Sequence, residues 1–63
     1  MIVKVFTIDS DTMAETFLHH SDLADCLPEA DDYWAAYADI VKAGRAWIGG
    51  GAAPLFLLTR AEP

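Results

Sequence analysis

Hydrophobic positions from Ile2 to Ile8 fall on both faces of an extended chain, with Val3, Val5 and Thr7 on one side and Ile2, Lys4, Phe6 and Ile8 on the other. Two largely apolar faces predict a strand inside a sheet, not at its edge. Asp9-Ser10-Asp11-Thr12 then supplies helix-start chemistry. Thr12-Met13-Ala14-Glu15 has the spacing of a capping box, in which hydroxyl and carboxylate satisfy each other's backbone N–H groups. At about 100° per residue, Met13, Phe17, His20 and Ala24 share one face while Glu15, His19 and Asp22 share the opposite one. The pattern predicts a first helix from Met13 to His20, ending or bending near Ser21 because Leu23 and Asp25 fall out of phase.

Leu27-Pro28-Glu29 opens a second predicted helix, since proline suits a first turn and Glu29, Asp31 and Asp32 complement the positive end of the dipole. Its core arc holds Tyr33, Trp34, Tyr37, Ile40 and Val41, its outer arc Asp32 and Asp39, and Gly44 is placed as its C-terminal cap. Arg45 to Ile48 and Leu55 to Arg60 read as strands joined by a turn from Gly49 to Ala53. The expected fold is α+β: one β-α-α-β-β domain spanning residues 1–63, with a three-stranded antiparallel sheet and two helices on one face. Its core includes Phe17, Tyr37, Ile40 and Val41. The uncovered sheet face carries large residues from the set Phe6, Trp47, Phe56 and Leu58, according to register, unless the tail Ala61 to Pro63 covers it.

Composition sharpens this picture. A 63-residue chain buries only about 60% of the surface its unfolded form exposes, so the core must be dense. With 54% of residues hydrophobic against 22% charged, the chain can supply one. The single cysteine, Cys26, permits no internal disulfide, which makes the cytoplasm the default home. Neither apolar run, at the amino terminus or from Ala52 to Leu58, has the length of a signal peptide or a membrane span.

Charge changes the picture most. The formal net charge is −6, yet nine carboxylates from Asp9 to Asp39 face Lys42 alone, a local charge of −8 between slightly positive flanks. Solvated helices ordinarily interleave both signs, and here there is almost nothing to interleave. Such a field repels nucleic acid and attracts a basic surface.

Candidate chemistry is thin. Glu15, His19 and Asp22 at helical spacing form a line of metal-ligand residue types, but a solvated polar face explains the same residues, so no metal and no cofactor is expected. His20 reads as a packed histidine. The negative neighbours Asp22, Asp25 and Glu29 oppose a thiolate nucleophile at Cys26. The glycines 49–51 match no phosphate-binding pattern and read as a hairpin turn. Asp9-Ser10-Asp11 follows a strand and lacks the setting of a carrier-protein serine. A chain this small also has little volume for a substrate pocket, so an enzyme is not expected.

In its size, its acidic helical middle from Asp9 through Asp39 and its small sheet, the chain resembles the anti-CRISPR proteins of phages and mobile elements. The resemblance implies an inhibitor that occupies the basic DNA-binding surface of a multi-subunit type I effector complex by DNA mimicry, with Asp22, Asp25, Glu29, Asp31, Asp32 and Asp39 contacting the partner. Direct binding of nucleic acid or membrane is not expected, and the chain is expected as a monomer or homodimer. The alternative is a small antitoxin or regulatory subunit that docks on a protein through its sheet face.

Overall fold

A computed structural model describes residues 1–61, and Glu62 and Pro63, the end of the tail considered as a cover for the sheet, lie outside the described residues. The chain runs β1 (Ile2–Ile8), β2 (Glu15–Asp22), α1 (Leu23–Cys26), α2 (Ala30–Ala43), β3 (Arg45–Gly50) and β4 (Ala53–Arg60). The α+β class and the antiparallel sheet are as expected. The sheet has four strands in the order β2-β1-β4-β3, one more than the β-α-α-β-β reading allowed.

The additional strand replaces the helix expected from Met13 to His20. Asp9 is the first cause: its carboxylate accepts from the backbone N–H groups of Asp11 at 2.8 Å and Thr12 at 3.2 Å, and its carbonyl accepts from Met13 N–H at 2.7 Å. These bonds close a loop in which Met13 takes a left-handed φ of 60°. Thr12 spends its hydroxyl on Ala14 N–H at 3.3 Å, so no capping box forms with Glu15. The chain therefore returns antiparallel to β1. Thr16, Phe17 and the histidines are at least as content in a strand as in a helix, and pairing with β1 decides the matter. The helix end expected near Ser21 has no counterpart, since the segment there is a strand and a helix begins at Leu23.

β1 is central, as its two apolar faces require, and Val3 and Val5 point toward the helices. Opposed residues share a face, so Val3, Val5, Leu58 and Ala46 lie on one side of the sheet together with Phe56 and Ile48. Leu23 of α1 and Ala36 and Ile40 of α2 complete this core, with Tyr33, Tyr37, Cys26 and Leu27 packed around it. Both helices therefore cover one face.

Of the expected core residues, Ile40 is buried and Tyr37 half-buried, whereas Phe17 and Val41 are 48% and 57% exposed. Phe17 left the core when its segment became a strand, because it points to the uncovered face. The buried arc of α2 centres on Ala36 and Ile40. That rotates Val41 and Trp34 onto a flank, where Trp34 packs edge-on against Tyr33 and Tyr37 and stays 60% exposed. Phe56 and Leu58, considered for the open face, lie on the helix side.

Two glycines have backbone reasons to be there. Gly44 ends α2 with φ 84° and donates to the Ile40 carbonyl at 2.8 Å, a left-handed cap. Gly49 has φ 83°, and a Cβ there would overlap the Pro54 carbonyl oxygen. The β3–β4 hairpin thus depends on it.

Candidate functional site

The acidic surface begins where β2 ends. Asp22 caps α1, its carboxylate accepting from Ala24 N–H at 3.1 Å while lying 4.0 Å from the Met1 amino group. It is therefore in part a structural residue. Asp25 follows on α1. Glu29 is the N-cap of α2 with no side-chain capping bond, and its carbonyl accepts from Tyr33 N–H at 2.9 Å. Asp31 and Asp32 occupy the first turn, where the helix dipole favours negative charge.

Asp39 lies seven residues beyond Asp32, so the two stand roughly 10 Å apart along one flank of α2. Both border a shallow depression of about 310 Å³ between α2 and β3, whose lining includes Leu27, Ala35 and Trp47. Asp39 also borders the neighbouring depression with Lys42 and Arg45, and there the sign of the surface changes.

All six carboxylates expected to meet a partner are exposed. Among the described residues, Asp25, Glu29, Asp31, Asp32 and Asp39 form no ion pair and no side-chain hydrogen bond. They belong to one layer, the helices and the segment joining them, and share it with Lys42. Asp9, Asp11 and Glu15 lie outside this layer, at the β1–β2 loop and the start of β2.

The line of Glu15, His19 and Asp22 dissolves in the strand. Glu15 and Asp22 stand at opposite ends of β2, about 24 Å apart at the rise of an extended chain. His19 opposes Val5 on the helix side, and His20 opposes Lys4 on the uncovered side. His20 is exposed, not packed in the core, with its ring 5.3 Å from that of Phe17. Cys26 is half-buried against the core.

Sequence reasoning missed the organisation of the uncovered face. Register places His20, Lys4, Thr59 and Arg45 in one row across all four strands, and Phe17, Phe6, Leu57 and Trp47 in the next. Phe6 and Phe17 meet edge to face at 5.6 Å. Leu57 is only 2% exposed beneath this row, whereas Trp47 at one end is 46% exposed. The rows were hidden because β2 read as a helix and because β2 carries a bulge, with Val5 opposite His19 but Phe6 opposite Phe17. Leu18 is the additional residue, and it puts Phe17 and His20 on one face despite their odd spacing.

No helix is long and apolar enough to cross a membrane among the described residues. No protein-family model matches the chain, and neither a curated protein nor a solved structure matches it.

Proposed function

We propose that the chain is a binding protein whose helix layer occupies a basic, nucleic-acid-binding surface of a partner, its carboxylates standing where phosphates would. One observation carries this reading: Asp25, Glu29, Asp31, Asp32 and Asp39 are exposed together, with no cation pairing them among the described residues. Concentrating like charge on one layer of a 63-residue domain costs stability through self-repulsion. A basic partner offsets that cost on contact. Helical turns space these groups at about 5–10 Å, the same order as the spacing of phosphates along a nucleic-acid strand, which supports occupation of a groove built for phosphates.

In its most specific form, the partner is a multi-subunit type I CRISPR effector complex and the chain an inhibitor of DNA capture. This follows the resemblance in size and acidic charge. No catalytic step is part of the proposal.

The test incubates purified type I effector complexes with the protein before adding labelled target DNA. DNA capture should fall with increasing protein, and added salt should slow association as the Debye length shrinks from about 10 Å at 0.1 M to about 3 Å at 1 M. Undiminished DNA capture would remove the inhibitor reading. Binding that is tight but indifferent to salt would instead favour docking through the sheet face by a regulatory subunit.

A further inference from the structure

We propose that the uncovered sheet face is a second binding site, for single-stranded nucleic acid, with bases stacked on the Phe17–Phe6–Trp47 row and phosphates held by the His20–Lys4–Arg45 row. The juxtaposition is fixed by register. Lys4 opposes both His20 and Thr59, and Thr59 opposes Arg45. One step of the pleat away, about 7 Å along the strands, Phe6 opposes both Phe17 and Leu57, and Leu57 opposes Trp47. Four strands make each row about 14 Å wide, room for two or three stacked bases. Lys4, Phe6, Phe17 and His20 already enclose a shallow hollow of about 370 Å³.

Two of the chain's four Lys and Arg residues lie on this face. Among the described residues neither Lys4 nor Arg45 is in an ion pair, although carboxylates outnumber cations in the chain. The net charge of −6 does not forbid an anion here. Of the α2 carboxylates, Asp39 borders a depression with Arg45 and Trp47 and weakens an anion's hold at that end of the rows, so Lys4 at the other end is the cation that governs binding. Of the acidic residues on β2, Asp22 is engaged with the amino terminus and with Ala24, and Glu15 lies a further row away, opposite Ile8.

A second copy of the chain is the competing occupant. A two-fold axis along the strands would set the basic row against itself and bury cations unpaired, whereas one across them would bring His20 and Lys4 near Glu15 of the other copy. A strand of nucleic acid satisfies both rows at once, since every base has a π-face and every nucleotide a phosphate.

The experiment titrates fluorescein-labelled oligothymidylate with the protein, reading anisotropy together with Trp47 emission in a Trp34→Phe background. Binding should quench Trp47. Its salt dependence should be shallow, with a slope of about −1.4 for two phosphates neutralised by Lys4 and Arg45. Trp47→Ser and Phe17→Ser should each weaken binding between about fivefold and a hundredfold, and Lys4→Gln should weaken it while flattening the salt slope. Removing helix-layer carboxylates should leave it unchanged or slightly tighter, so this site and the proposed inhibitory surface fail independently. Three results would overturn the proposal: no binding by the folded parent, inorganic polyphosphate competing as well as oligothymidylate, or a concentration-dependent dimer that Trp47→Ser dissolves.

Discussion

The two broad surfaces of this domain are built on opposite principles. The helix layer presents charge on flexible, individually exposed side chains, each of which contributes to a summed field. The uncovered sheet face presents rings whose positions are set by strand register, with cations in an adjacent row. The first depends on how many carboxylates survive substitution, the second on which ones of a few residues do. Both rest on the same small core, so stability and function are separable only where a side chain is exposed.

The sharpest way to break the comparison is to remove what both surfaces share. Leu58 is fully buried between the sheet and the helices, and Leu58→Ala should cost about 2–5 kcal/mol. A chain of 63 residues has a total stability of only about 3–9 kcal/mol. Urea denaturation should show a much lower midpoint for this variant, with both proposed binding activities weakened together near the denaturing range.

Gly49→Ala acts on the sheet alone. Its positive φ and the closeness of Pro54 predict a loss of about 1–3 kcal/mol, with the β3–β4 hairpin displaced. Thermal unfolding should show the loss, and the oligothymidylate site should weaken more than the helix layer does.

Asp22→Ala removes the α1 cap and should cost about 1 kcal/mol, a fall in melting temperature of about 4–8 °C for a domain of this size. Asp25→Asn caps nothing in the structure and should leave the melting temperature nearly unchanged. If the two variants behave alike, Asp22 has no structural role.

The smallest effect belongs to the flank of α2. Trp34→Gln and Val41→Gln should each change stability by about 0.5 kcal/mol or less, because both side chains are mostly exposed. A large loss at either position would mean that the helix buries the arc the hydrophobic pattern alone suggests.

Where the sequence was legible, one physical signal acted alone. β1 has two apolar faces and is central. α2 has a helical period, a Gly44 cap and acidic first-turn residues, and it runs where expected. Arg45 to Arg60 was readable because a glycine cluster separates two β-rich runs. Residues 9–22 were misread because two signals competed. Asp9 and Thr12 serve a turn as readily as a helix N-terminus, and the Leu18 bulge erased the alternation that marks a strand. That error concealed the paired rows of the open face, since two of their residues, Phe17 and His20, lie on β2. The acidic surface survived the error because most of its residues belong to the helices, although Asp22 proved to be a cap as well.

The most direct measurement compares three folded proteins in one DNA-capture assay with a type I effector complex: the parent, a variant carrying Asp25→Asn, Glu29→Gln, Asp32→Asn and Asp39→Asn, and Phe17→Ser, whose side chain lies on the sheet face away from the helix layer. Charge mimicry predicts that the parent and Phe17→Ser block DNA capture while the charge variant does so at least tenfold less well. A charge variant that inhibits like the parent, beside a Phe17→Ser protein that does not inhibit, would contradict mimicry and place the inhibitory contact on the sheet.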